Sequence, residues 1–144
     1  MRLQVMMVLV AGFLIAADDP KKEAEKLQGT WRLVSLEVDG KKATKGEIKK
    51  EQKMVVKGDK FTSTVDDKHS FKGTFKLDPA KKPKAVDAAV TEGQYKGKTL
   101  LGIYEVEGDM LRACYAPPGK ERPTEFASKE GSGNHLYVYK REKP

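Results

Sequence analysis

The sequence predicts an all-β domain in which eight short antiparallel strands close into an up-and-down barrel behind a short N-terminal helix. Three observations support this fold class. Eight runs of β-prone residues are separated by turn signals such as Asp39-Gly40 and Gly58-Asp59. Open strand edges invite aggregation, so the strands must close or form a sandwich, and we predict closure. Charged residues make up 34% of the 144-residue chain, a balance that suits one barrel domain because each strand needs only one apolar face.

The strand with the clearest pattern spans residues 69–77 (HSFKGTFKL). Phe71, Phe75 and Leu77 fall on one face and polar residues fall on the other. Such a period of two indicates a strand with one face in water. The rest of the chain predicts strands at residues 29–38, 53–57, 60–65, 84–91, 99–106, 110–116 and 136–140, one or two helical turns at 44–52 and an irregular loop at 117–132.

Residues 1–17 have the pattern of a signal peptide. Arg2 supplies the positive start, residues 5–15 are apolar with one glycine, and Ala17 is a small residue suited to cleavage. The apolar run is shorter than the roughly 20 residues of a spanning helix. We therefore expect an exported protein, periplasmic or extracellular, with no integral membrane segment after leader removal. A buried N-terminal helix is the alternative, although the run lacks a polar face. Residues 18–26 form a charged lead-in to the domain.

The net charge of +7 is spread along the chain, with lysines alternating with acidic residues. This pattern is typical of a solvated surface, and together with export it argues against a nucleic-acid partner. Cys114 is the single cysteine, so no intramolecular disulfide can form, and its apolar neighbours predict a small buried side chain. The oligomeric state stays open.

A hairpin is predicted around Gly108-Asp109. A two-residue turn there pairs Glu105 with Arg112 on one face, while Tyr104 lies on the opposite face. We expect the ion pair to face outward as an ordinary cross-strand pair. The alternative is an inward polar patch that binds an acidic or polar ligand.

The loop PPGKERPTEF, residues 117–126, is a second candidate site because its prolines reduce the entropy lost on binding. Its charges would stand at a barrel rim, where ligands enter. The alternative is a structural loop whose charges are paired internally. The candidate ligand-binding residues from both regions are Tyr104, Arg112, Tyr115, Lys120 and Arg122.

The sequence predicts no catalytic residues, no metal site and no cofactor. Asp66, Asp67 and His69 stand too close together along a strand end to converge on a metal, since neighbouring side chains point to opposite faces. His135 has no evident partner for a nucleophilic triad. A carboxylate pair in a barrel lumen would be the remaining route to an enzyme.

Gly29-Thr30-Trp31, at the start of the first strand, resembles the Gly-x-Trp opening of the lipocalin superfamily. The resemblance implies a lipocalin-like barrel over residues 27–141, in which Gly29 and Trp31 belong to a structural plug at the closed end. Arg141 matches the basic residue that packs over the indole. Three longer segments are similar to an uncharacterised family of exported planctomycete proteins with a lipocalin-like domain, for which no activity is implied: KGTFKLDPAKKPKAVDAAVTEG, KGKTLLGIYEVEGD and CYAPPGKERPTEFASKEGSG.

These features predict a non-enzymatic protein that binds a small apolar or amphipathic ligand in its barrel, or an envelope partner. The alternative is a structural or protein-interaction module whose interior is filled by Trp31, Phe71, Phe75 and the tyrosines. The size of the internal cavity distinguishes the two, with an empty volume above ~300 Å³ favouring a ligand.

Overall fold

The structure, a computed structural model, describes residues 19–44, 52–64 and 70–143. The predicted signal peptide, most of the predicted helical turns at 44–52, and Asp66, Asp67 and His69 lie outside these residues. Within them the chain forms one helix and nine antiparallel strands: α1 (Pro20–Leu27), β1 (Gly29–Val38), β2 (Lys41–Thr44), β3 (Lys53–Lys57), β4 (Lys60–Thr64), β5 (Ser70–Asp78), β6 (Ala85–Glu92), β7 (Thr99–Glu107), β8 (Met110–Tyr115) and β9 (His135–Arg141).

Eight of the strands close into a barrel, as the sequence predicts. From β3 to β9 each strand pairs with the next along the chain, and β1 completes the ring by pairing with β3 on one edge and β9 on the other. The antiparallel closure leaves no long free edge between these eight strands. The predicted fold class is therefore confirmed.

Strand β2 is an addition that the sequence prediction missed. It forms a hairpin with the second half of β1 through a tight turn in which Asp39 and Gly40 have φ values of 53° and 82°. This edge of β1 is available because β3 pairs only with residues 29–32. Thr44 therefore ends a strand, whereas it was predicted to begin a helical segment.

The β7–β8 hairpin has the predicted register, with Glu105 opposite Arg112 and Tyr104 opposite Ala113 across the Gly108-Asp109 turn. The ion pair lies on the outer face, as expected, and each of its side chains is 43% exposed. The inner face carries Tyr104 into the core.

Apolar residues also occupy the outer face of this hairpin, because the segment between β8 and β9 packs against it. Ile103 and Cys114 are almost fully buried although they point away from the lumen. The Cys114 thiol lies 3.5 Å from the carbonyl oxygen of Ala127, in the covering segment. Ser128 fastens the same segment, since its N–H donates to the Glu37 carboxylate and its hydroxyl accepts from the N–H of Asp39. Residues 119–134 therefore form a cover on the outside of the barrel.

Helix α1 closes one end of the barrel. Asp19 caps its N-terminus by accepting from the N–H of Lys21 at 2.8 Å. Beyond its C-terminus, the Gln28 side chain exchanges two hydrogen bonds with the backbone of Gly58, in the β3–β4 turn. Leu27 faces the interior and is buried. Because β1 begins at this end, we call it the helix end, and we call the opposite end the loop end.

Candidate functional site in the barrel interior

The barrel encloses an apolar cavity of about 110 Å³. This is smaller than the ~300 Å³ typical of pockets for drug-sized ligands, and of the same order as the ~150 Å³ apolar cavity that is known to hold benzene. The interior is therefore not packed solid, but its volume does not reach the ~300 Å³ that the sequence analysis sets as favouring a ligand. The lining side chains come from α1, from strands β3 to β9 and from the loops at one end: Leu27, Met54, Val56, Phe61, Ser63, Phe71, Phe75, Leu77, Val86, Ala88, Tyr95, Leu100, Tyr104, Leu111, Ala113, Tyr115, Ala116, Pro117, Pro118, His135, Tyr137 and Tyr139.

The alternation of the strands explains why this lining is apolar. On β5, Phe71, Phe75 and Leu77 all reach the cavity, which is the face that the sequence pattern indicates. Gly73 stands on the same face, and a Cβ there would approach the Phe61 ring to 2.9 Å. The glycine thus leaves room for that ring, which meets Phe71 edge-on with centroids 6.2 Å apart.

Trp31 fills the interior at the helix end and is fully buried. Its indole N–H donates to the carbonyl oxygen of Leu27 at 2.8 Å. The Arg141 guanidinium lies 4.2 Å from the ring centroid, and it also donates to the carbonyl oxygen of Lys26 at 2.6 Å. Gly29 has a φ of 118°, and a Cβ there would lie 3.3 Å from Arg141. The contact expected between Trp31 and Arg141 is therefore present, with Gly29 beside it.

A buried carboxylate joins α1 to the barrel at the same end. Glu23 is fully buried and accepts hydrogen bonds from Lys26 at 2.9 Å, Lys84 at 3.0 Å and the Tyr104 hydroxyl at 2.8 Å. Burial raises the pKa of Glu23, but these three donors outweigh burial and hold the pKa below its ordinary value of 4.5. The carboxylate is therefore ionised at neutral pH. Sequence analysis missed this residue because it lies in a short, highly charged segment.

Three tyrosines from β8 and β9 line the cavity together. The rings of Tyr137 and Tyr139 are nearly parallel, with centroids 5.9 Å apart, and the Tyr115 ring meets Tyr137 edge-on at 6.3 Å. His135, Tyr137 and Tyr139 alternate along β9 and therefore share its inner face. Tyr115 on β8 pairs with His135, so it projects to the same side. Tyr115, Tyr137 and Tyr139 form a tyrosine cluster, by which we mean these three residues throughout.

The hydroxyls of the tyrosine cluster are neutral over the physiological pH range. Burial raises the pKa of each above its ordinary value of 10, and the neighbouring tyrosines add to the shift. For Tyr137 the pKa rises to about 12. The cluster therefore offers hydrogen-bond donors and no charge.

The cavity approaches solvent at the loop end. Tyr95 contributes to its lining while remaining 40% exposed, and it has a φ of 70°, which non-glycine residues seldom adopt. Pro117 and Pro118 border the same region. His135 lies there too, and burial lowers its pKa below the ordinary 6.5, so its imidazole is neutral at pH 7.

Of the five predicted ligand-binding residues, the structure brings Tyr104 and Tyr115 to the cavity. Arg112 instead lies outside the barrel, where it bonds to the Glu105 carboxylate and stacks 4.4 Å from the Phe126 ring centroid. The five residues therefore do not form one site.

The predicted rim residues Lys120 and Arg122 also stand apart from the cavity lining. Arg122 bonds to the carbonyl oxygens of Val86 and Gly102 at 3.0 and 2.9 Å and pairs with Asp87 at 2.7 Å. These contacts tie the cover to β6 and β7, which is the internally paired arrangement that the sequence left open. Lys120 is exposed in a turn.

Among the described residues, no group of three or more His, Cys, Asp or Glu side chains is arranged to hold a metal ion. The same part of the chain contains no helix long and apolar enough to cross a membrane. Comparisons with protein-family models, with curated proteins and with solved structures find no match to this chain.

Proposed function

We propose that this protein is an exported, non-enzymatic binder of a small apolar or amphipathic molecule, which it holds inside the barrel. The observation that carries the proposal is the apolar cavity of about 110 Å³ in a barrel whose interior is sealed by Trp31 at one end. A closed barrel of eight strands has an interior of the size that one small ligand can occupy. We also propose that the protein is related to the exported lipocalin-like family that its sequence resembles.

The lining supports binding rather than catalysis. The side chains around the cavity are aliphatic and aromatic, with tyrosine hydroxyls, one serine and one histidine as the polar groups in the described part of the chain. Apolar surface with a few convergent polar groups is what small-molecule sites share. His135 is held neutral by burial, so it lacks the charge that would attract an ionic substrate.

The described fold is compatible with export. Cleavage near Ala17 would leave Asp19, the cap of α1, and every described strand in the mature chain. The contacts that close the helix end therefore all lie downstream of the predicted cleavage position.

Native mass spectrometry of the protein purified from its own host tests both parts of this proposal. We expect a polypeptide mass that lacks about the first 17 residues, together with a bound molecule of fixed mass. An intact N-terminus would contradict export, and a wild-type protein that never carries a ligand would favour the interaction module over the binder.

A matched pair of variants locates the ligand. Ala88 lines the cavity, whereas its neighbour Ala89 faces away from it. Ala88→Leu should reduce the cavity and abolish the bound mass, while Ala89→Leu should retain it. Equal retention in both variants would place the ligand outside the barrel.

A further inference from the structure

The hydroxyls of the tyrosine cluster lack hydrogen-bond partners among residues 19–44, 52–64 and 70–143. Tyr139 is the most buried of the three, at 9% exposure, and all three line the cavity. Within the described chain their oxygen atoms are not fully enclosed by protein, so they border open space. A buried hydroxyl without a partner is costly, so a molecule in the cavity would gain by accepting from it.

Tyr104 shows what a satisfied hydroxyl looks like in the same lining. Its O–H donates to the Glu23 carboxylate at 2.8 Å. The contrast with the tyrosine cluster is local, because all four residues line one cavity. The buried tyrosine hydroxyls without a partner are therefore gathered on β8 and β9.

The ring geometry indicates how one acceptor could use two of these donors. The Tyr137 and Tyr139 rings project from the same face of β9, two residues apart, and lie nearly parallel with their centroids 5.9 Å apart, so both hydroxyls belong to one wall of the cavity. A ligand oxygen that lies within ~3 Å of both hydroxyls can accept a hydrogen bond from each. A carbonyl oxygen has two lone pairs and can accept from both.

The absence of positive charge among the described lining residues favours an uncharged hydrogen-bond acceptor on the ligand. The described members of the lining include no lysine or arginine, and burial keeps His135 neutral. A carboxylate or phosphate would lose its hydration without gaining a cation, whereas a ketone or ester would lose much less.

From these contacts we infer that the cavity takes a small molecule with an apolar body and one uncharged carbonyl group, whose oxygen accepts from Tyr137 and Tyr139, with Tyr115 alongside. The inference rests on the proposed ligand-binding function and adds the chemical class of the ligand.

Three probes with one benzene ring test it, with binding followed by ligand-observed NMR. Acetophenone carries the carbonyl, isopropylbenzene has nearly the same shape without an acceptor, and benzoate carries a charge. We expect acetophenone to bind about 3- to 10-fold more tightly than isopropylbenzene, since one or two neutral hydrogen bonds are added. Benzoate should bind more weakly than either. Equal affinities for the first two, or preference for benzoate, would overturn the inference.

The variant Tyr137→Phe/Tyr139→Phe should bring the ratio of the two affinities close to one while isopropylbenzene still binds. Both affinities are measured on the same sample of the variant, so a smaller folded fraction lowers them equally and leaves their ratio unchanged. Val138→Ala is the matched control, because Val138 lies between the two tyrosines on the outer face and should leave the ratio unchanged. If the double variant keeps the wild-type ratio, the hydroxyls do not bind the carbonyl.

The outcomes separate this inference from the function on which it rests. If neither acetophenone nor isopropylbenzene binds, the ligand-binding function itself fails. If both bind equally, the barrel is a binder and only the assignment of a carbonyl ligand fails.

Discussion

The helix end of the barrel and the tyrosine cluster differ in how their buried polar groups are satisfied. At the helix end Glu23, Trp31 and Arg141 have their polar atoms engaged with protein partners. In the tyrosine cluster, on β8 and β9, the hydroxyls have none among the described residues. A fully satisfied network adds rigidity, whereas unsatisfied donors are tolerated where another molecule can complete them. Under the proposed binding function, the helix end supports the fold and the tyrosine cluster contacts the ligand.

The largest effect on stability should come from the helix end. Trp31→Ala removes a fully buried indole together with the ring on which Arg141 stacks. We expect the free energy of unfolding to fall by about 4 kcal/mol in urea denaturation.

Tyr95→Ala is the counterpart at the loop end. Tyr95 is 40% exposed, so its loss should cost less than ~1 kcal/mol. Similar losses of stability from the two variants would contradict the assignment of the main support of the fold to the helix end.

The barrel could be predicted from sequence because period-two alternation and a two-residue turn carry strong local information. In β5 the alternation identifies the inner face, and in the β7–β8 hairpin the turn at Gly108 sets the register. The addition of β2 could not be predicted in this way. Its residues, Lys41–Thr44, show no apolar alternation, and pairing arises only because β3 leaves an edge of β1 uncovered.

The candidate site was harder to predict because it depends on which face of each strand is covered. Tyr104 could be placed on the inner face because the hairpin turn fixes its position opposite the ion pair. Arg112 and Arg122 are bound outside the barrel. The cover buries part of this outer surface, so the residues there resemble core residues in sequence and the outer face is hard to recognise. Glu23 escaped notice because a charged eight-residue helix has the pattern of a solvated segment. Its spacing from Leu27, one helical turn away on the same face, was the one available signal.

Acid should weaken the helix end selectively. The pKa of Glu23 is lower in the folded protein than its ordinary 4.5, so its stabilisation is present above pH 4.5 and is lost as the pH falls through the folded value. Glu23→Gln should reduce the free energy of unfolding at pH 7 by about 2–3 kcal/mol, because it leaves Lys84 and Lys26 without their buried counter-charge. The exposure of Lys26 to solvent keeps the loss at the lower end of the range for buried pairs.

The difference between wild type and Glu23→Gln should then shrink below pH 4.5, which urea titrations at several pH values measure. A difference that stays constant down to pH 3 would mean that the Glu23 carboxylate does not titrate with folding.

Alkali should weaken the contribution of the tyrosine cluster instead. The folded pKa of Tyr137 is about 12 against an ordinary value of 10, so between pH 10 and 12 the unfolded chain loses a proton that the folded barrel keeps. The unfolded state then binds fewer protons, and stability must fall as the pH rises through this window, by about 2 kcal/mol for this residue. Below pH 10 Tyr137 is neutral in both the folded and the unfolded state, so it does not make stability depend on pH there. Tyr137→Phe should therefore flatten the decline measured by urea denaturation between pH 9 and pH 11, whereas Glu23→Gln should leave that part of the curve unchanged. If Tyr137→Phe declines as steeply as wild type, the hydroxyl is hydrated well enough to ionise in the folded barrel, and the cavity is wetter than its apolar lining indicates.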